Sequence, residues 1–326
     1  MTLAFRAAAA AIAAAIAFPA WALETLNVIV FPGGFNWPLW IANEKGIFAK
    51  HGLEVKIAPT PGSVYQVTNL MAGKFDIGIS TLDNVVAYDE GQGEAALPEP
   101  PDLFAFMGGQ TGAVRLVVRP DVRSFADLKG RSLAVDARTT GYAFVMRKML
   151  ALGGLGAGDY TMQPLGSTAA RAEALMQGRT DGTILTSPLE ILPETKGFRR
   201  LANATEMIGP YQAVLGIARR SWARSHEEAL VAYIRSYVEA LDWLSDRAHI
   251  EEAVAIYRKN VPNASEEGAR KAWEVLVSEG FAKKGKIDLE GARTVLKLRS
   301  EYGEPRKMLD DPSRYIDESY YRKALE

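Results

Sequence analysis

The segment Leu70-Met71-Ala72-Gly73-Lys74-Phe75-Asp76 returns 105 residues later as Leu175-Met176-Gln177-Gly178-Arg179-Thr180-Asp181. Each copy ends an apolar helical pattern on a Gly, adds one basic residue and opens a strand. Gly in that place supplies the left-handed turn that commonly ends a helix. The pattern therefore predicts one α/β unit built twice, in two lobes. A cleft between two such lobes is a natural place to bury a small ligand.

The pattern along the chain supports this division. Leu26 to Phe31 is a short apolar run rich in β-branched residues and predicts a buried strand. Pro38 stands in the first turn of a following helix, where Pro is tolerated. Leu53, Val55 and Ile57 alternate with polar neighbours, as do Phe75, Ile77 and Ile79. Ser63-Val-Tyr-Gln66 and Ser225-His-Glu-Glu228 both have the form of a capping box opening a helix. The same order of elements restarts at Val114 and runs to an edge strand near 199–204. A strand from Tyr211 to Ala218 then leaves the second unit. Helices follow near 225–243, 249–260, 265–279 and 288–302, forming a tail expected to pack on the first lobe. The expected division is lobe one over 23–111, lobe two over 112–211, and a return to lobe one over 212–326. Crossings at Gly108-Gly109-Gln110 and Gly209-Pro210 would form the hinge.

The N-terminus has a different character. Arg6 precedes an unbroken apolar run from Ala7 to Phe18, and Ala20-Trp21-Ala22 has the form of a cleavage site. Residues 1–22 thus read as a secretory signal peptide. The run is shorter than the about 20 residues a membrane span needs. The mature chain is expected to be exported. The chain has no Cys, so no lipidated cysteine anchors it. With 326 residues it can bury a sufficient core without disulfides. A formal net charge of −1 gives no electrostatic footprint for nucleic acid.

Five stretches, in their order and spacing, carry a family resemblance. They are Trp37-Pro-Leu-Trp-Ile-Ala-Asn-Glu-Lys-Gly-Ile-Phe48, His51-Gly-Leu-Glu-Val55, Met71-Ala-Gly-Lys-Phe-Asp-Ile-Gly78, Ser124-Phe-Ala-Asp-Leu-Lys-Gly-Arg-Ser-Leu-Ala-Val135 and Tyr315-Ile-Asp-Glu-Ser-Tyr-Tyr-Arg-Lys-Ala-Leu325. With them the chain resembles the periplasmic substrate-binding proteins of ABC importers. The branch is the one for nitrate, alkanesulfonates, taurine, thiamine-precursor pyrimidines and phthalate-like acids. The resemblance implies a type II periplasmic-binding fold, with a mixed five-stranded sheet in each lobe and helices on its faces. It also implies a monomer that closes on a small anionic organic solute, a sulfonate or carboxylate. That solute would pass to an inner-membrane ABC permease with its cytoplasmic ATPase. Relatives that synthesise pyrimidine carry a cysteine-rich signature, which this chain lacks, so no enzyme activity is expected. A synthase-like enzyme and a sensory module remain the alternatives on the same scaffold.

In such a fold ligands sit at the carboxyl ends of strands, where helices begin and their free N–H groups attract anions. That rule selects Asn36 and Trp37, Ser80 and Thr81, and the loop Thr139-Thr140-Gly141-Tyr142. The internal repeat adds Ser187. In the resembled family the third loop wraps the acidic group of the ligand. Each Ser and Thr could equally be a plain helix cap. Arg138 could pair bidentately with a carboxylate or sulfonate, or lie solvated on the surface. Trp37, Tyr142 and Tyr211 would give the ligand an apolar wall, whereas Trp40 and Phe144 fall inside helices and suit the core. Asp76 and Asp181 begin strands, far from those carboxyl ends, and are expected to be structural. His51, His226 and His249 lack metal-ligand spacing, so no metal and no cofactor is expected.

Overall fold

The computed structural model describes residues 22–97, 99–111 and 113–326. The signal read at residues 1–22 lies outside the described residues, Ala22 excepted. Ten strands form two five-stranded sheets. The first sheet holds β1 (Glu24–Val30), β2 (Leu53–Pro59), β3 (Ile77–Thr81), β4 (Leu103–Gly108) and β10 (Val214–Arg219). The second holds β5 (Val114–Val118), β6 (Ser132–Val135), β7 (Thr161–Pro164), β8 (Gly182–Thr186) and β9 (Arg199–Asn203). Their orders, β2-β1-β3-β10-β4 and β7-β6-β8-β5-β9, are the same topology written twice. In each sheet three strands run parallel, and the fourth pairs antiparallel with both its neighbours.

The repeated heptad builds the same junction in both lobes. Gly73 and Gly178 each stand at φ 72°, a left-handed conformation that suits glycine. The N–H groups of Gly73 and Gly178 both bond three residues back, at 3.0 Å. Asp76 then accepts from the backbone N–H of Asn27 at 2.8 Å, and Asp181 from that of Ser132 at 3.0 Å. Each carboxylate thereby ties its junction to the neighbouring parallel strand, at the middle of β1 and at the start of β6. The structural role expected of both Asp residues holds.

Two connections join the sheets, and their described residues 109–111 and 209–213 run side by side through a bridge between Thr111 and Gln212. Gln212 also donates to the carbonyl of Gln110 at 3.3 Å. The chain near Gly280 joins them, since the N–H of Thr111 donates to Gly280 and that of Ala282 to Gly109. The strand expected at Tyr211 starts at Val214, because Tyr211 and Gln212 belong to this crossing.

The tail departs from the expectation in one helix. The helices Glu227–Ser245 and Ile250–Asn260 pack over sheet one, against the helix Trp37–Glu44. The helix Leu289–Tyr302 instead straddles the lobes. It packs on Leu82–Asp89 of lobe one and on Gly141–Leu152 of lobe two. Accordingly one apolar core runs without a break from Ile29 and Val85, through Val295 and Leu296, to Phe144 and Leu133. Burial of such side chains contributes about 1.5–3 kcal/mol each.

Neither expected capping box forms. Gln66 is fully buried and donates to the carbonyls of Ile29 and Ile79, at 3.2 and 3.0 Å. The hydroxyl of Ser225 bonds back to Trp222 rather than forward to Glu228. The box that does form is Ser124 with Asp127, ahead of β6.

Candidate functional site

The carboxyl ends of four parallel strands meet between the lobes. Phe31 follows β1, Thr81 ends β3, Asp136 follows β6 and Thr186 ends β8. Together with the first turns of the helices Gly141–Leu152 and Thr168–Met176 they line a small cavity of about 30 Å³. That is room for about one water-sized group. The lobes are drawn together around it. The N–H of Ser167 in lobe two donates to the carbonyl of Pro61 in lobe one at 2.9 Å. A Cβ on Gly34 would lie 2.7 Å from the ring of Pro188.

One charge dominates the cavity. Arg171, on the helix Thr168–Met176, is 1% exposed. Its guanidinium donates to Thr183 Oγ1 (3.1 Å), Thr168 Oγ1 (3.1 Å) and the carbonyls of Gly166 (2.6 Å) and Ile184 (3.2 Å). All four acceptors are neutral. Burial pulls the pKa of Arg171 below its usual value, and the negative charge of Asp136 acts the other way. A buried cation bonded only to neutral groups costs several kcal/mol of desolvation, on the order of that for any unpaired ion. Tyr142 stands beside it. Its hydroxyl is buried with no hydrogen-bond partner, and burial pushes its pKa up.

Of the residues expected from the sequence, Thr81, Thr140, Gly141 and Tyr142 line this cavity. The others stand elsewhere. Arg138 is exposed and turned to the carbonyl of Met162 at 3.3 Å, outside the cleft. Trp37 is fully buried, donates its indole N–H to Ala253 at 3.0 Å and packs 4.4 Å from Tyr257, so it belongs to the core. Ser80 is buried and accepts from Asn84 at 3.0 Å. Ser187 is buried, with its hydroxyl spent on Glu190. The hydroxyl of Thr139 bonds Glu94. Tyr211 is 1% exposed, with its ring 6.1 Å from that of Tyr142, and lines a separate pocket beside Thr111 and Pro210. Asn36 is tied to the carbonyls of Phe31 and Gly33, at 2.7 and 3.1 Å. It borders a separate groove of about 620 Å³, open along the lobe boundary and lined largely by apolar groups. That groove is larger, but the buried cation Arg171 and the unpartnered hydroxyl of Tyr142 both belong to the small cavity, which makes it the candidate site.

Arg171, Asp136, Asn84, Thr168 and Thr186 were not expected. A signal for Arg171 existed. Its helix reads Thr-Ala-Ala-Arg, with the one cation close to the N-terminus. A cation there opposes the helix dipole, so its place calls for another reason. Asp136 directly follows a strand, where the same carboxyl-end rule applies.

Among the described residues no cluster of His, Asp and Glu could hold a metal ion. The described lining of the cavity contains no Ser, His or Cys.

Known proteins share this architecture. A protein of Bacillus subtilis (strain 168), described as a binding protein, is 26% identical over 230 residues. The match covers 66% of this chain and 64% of that relative, less than two thirds of its length. A solved structure from Bordetella bronchiseptica RB50 superposes with a TM-score of 0.77 at 24% identity, covering 92% of this chain and 96% of that one. The periplasmic nitrate-binding protein of Synechocystis PCC 6803 has a TM-score of 0.76 at 16% identity, over 93% and 88%. A desulfurization enzyme shares the fold too, with a TM-score of 0.60 at 15% identity, over 93% and 99%. The type II periplasmic-binding architecture is thus established. A family model described as NMT1/THI5 like matches residues 36–248, well over half of the chain, and the chain belongs to that family.

Proposed function

We propose that this chain is the extracytoplasmic solute-binding component of an ABC importer and that it captures a small organic acid between its lobes. The observation that carries this reading is Arg171, a fully buried guanidinium in the interlobe cavity whose bonds all go to neutral acceptors. A carboxylate or sulfonate is its natural counterion: four of its five N–H groups go to neutral acceptors, which leaves one Nη1–H and the whole charge for an acid oxygen. Phe31, Phe35 and Tyr142 stand around the same cavity, which favours an acid with an apolar body over a bare inorganic ion. The cavity has to widen to admit such a solute, and hinge motion about segments 109–113 and 209–213 would provide this. The closed, loaded monomer would then dock on its permease from the periplasmic side.

The test is a thermal-shift and calorimetric screen of the purified chain with alkanesulfonates, aromatic and aliphatic carboxylates, nitrate and pyrimidines. A single-site, saturable response from an organic acid is expected, with the solute recovered unchanged by mass spectrometry. Binding confined to pyrimidines, or no response to any acid, would sink the assignment. Chemical conversion of the bound solute would favour the enzyme reading instead.

A further inference from the structure

The helix Ser63–Met71 starts on Gly62, which has no side chain with which to cap it. The first N–H groups of a helix have no intrahelical partner and carry partial positive charge. Gln66, which a capping box would turn back to this end, is committed to the carbonyls of Ile29 and Ile79. The cap comes from the other lobe. Asp136 Oδ2 accepts from the N–H of Ser63 at 3.1 Å. Its Oδ1 lies where a Cβ on Gly62 would be only 2.9 Å away, so a side chain at 62 would crowd the carboxylate. Asp136 also lines the small interlobe cavity and acts on Arg171 through its charge. The same cavity holds the buried hydroxyl of Tyr142, which has no partner.

We propose that Asp136 is a tethered anion of the cleft. It holds the lobes together by capping the Ser63 helix across their interface, and an acidic solute competes with it for that helix end and for Arg171. This rests on the reading of the cleft as a hinged acid-binding site. It adds a residue that sets how far the cleft closes before solute arrives, and how strongly an acid must bind to enter. The neighbouring lobe contact, Ser167 to Pro61, involves only neutral backbone groups; the other charged crossings, Glu94 with Thr139 and Arg299 with Thr139, lie at a different loop. Charge-assisted bonds are about twice as strong as neutral ones, so Asp136 carries the larger share at this edge.

The chain has no Cys, so paired labels can be placed cleanly. Tyr65 on lobe one and Glu173 on lobe two are both exposed, and Cys at these positions takes spin labels. Interlobe distances are then measured without solute in the parent, Asp136→Ala and Asp136→Asn chains, each checked for folding by circular dichroism. The open-to-closed ratio should rise about tenfold in Asp136→Ala, as expected for loss of one charge-assisted hydrogen bond. Asp136→Asn keeps a neutral acceptor and should fall between; it carries the test if the Ala variant does not fold. Sodium acetate, which replaces the missing carboxylate, should return Asp136→Ala toward the closed distance, while sodium chloride at equal ionic strength should not. Unchanged distances in both variants would overturn the proposal, as would opening that acetate fails to reverse. These distances are read without any transported solute. If the acid screen fails while acetate still recloses Asp136→Ala, the solute assignment falls and the cross-lobe cap stands.

Discussion

Arg299 donates to both carboxylate oxygens of Asp83, at 2.6 and 2.5 Å, and each residue is 1% exposed. The pair joins the straddling helix Leu289–Tyr302 to lobe one. The same guanidinium reaches lobe two through the carbonyl of Thr139 at 2.6 Å, and it lies 4.7 Å from the ring centre of Phe144. Removing one partner of a buried pair strands the other charge, at a cost of about 3–5 kcal/mol. Arg299→Ala should therefore lower the unfolding free energy by about that amount in urea titrations. Arg299→Lys should recover only part, since an ammonium cannot reproduce the two parallel bonds. The double variant Asp83→Leu/Arg299→Met should be less damaged than either single change. Additive losses would show that the pair is not the coupled unit its geometry describes.

Arg171 and Arg138 make opposite predictions. Truncating a buried, hydrogen-bonded charge that meets a ligand costs about 2–5 kcal/mol of binding, at least about 30-fold in affinity. Arg171→Ala should lose that much toward whichever acid the screen identifies. Arg138→Ala should bind as the parent does, because its side chain lies on the surface against Met162. Calorimetry on the two variants separates them directly, and equal losses would remove Arg171 from its special place.

The two arginines also show what a sequence can and cannot reveal here. The repeat, the strand pattern and the caps at Asp76 and Asp181 are local features, and periodicity displays local features well. Thr81, Thr140, Gly141 and Tyr142 were legible because a rule about strand ends picks out the loops after strands. The same rule could not choose between Arg138, within such a loop, and Arg171, inside the helix that follows a later strand. That choice depends on which way a side chain leaves its backbone. The aromatic pattern failed at Trp37 for a similar reason. A residue at the start of a helix can face either the cleft or the tail, and Tyr257, far along the chain, claims it. The cross-lobe cap of Ser63 by Asp136 spans 73 positions, so no short motif could announce it.

Gly73 and Gly178 offer a matched pair. Both stand at φ 72°. A Cβ on Gly178 would meet nothing within 4 Å, and one on Gly73 would come no nearer than 3.6 Å to Arg219. Space is therefore not limiting at either place, and only backbone conformation resists a side chain. Gly73→Ala and Gly178→Ala should each cost about 1–2 kcal/mol, the usual penalty for a left-handed residue. The two values should agree closely in parallel denaturation curves. A large difference would mean that the two junctions, alike in geometry, are held by different surroundings.

Asp89 predicts how stability changes with pH. Burial pushes its pKa up to about 7, with Glu90 and Asp102 adding to the rise, and Arg220 and Arg314 opposing it. One of its buried oxygens has no hydrogen-bond partner. Because the folded value lies above the unfolded one, the native state binds more protons across the interval between them. Its contribution to stability is then fully present below the unfolded value, at about pH 3.9, and is lost as pH rises through about 7. Asp89→Asn imitates the protonated acid at every pH. The variant should match the parent near pH 4 and be the more stable of the two at pH 8, with a flatter profile between. Urea titrations at pH 4, 6 and 8 measure this. A variant that loses stability equally at all three would show that Asp89 acts as an ordinary charged partner of Arg220, and not as a buried neutral acid.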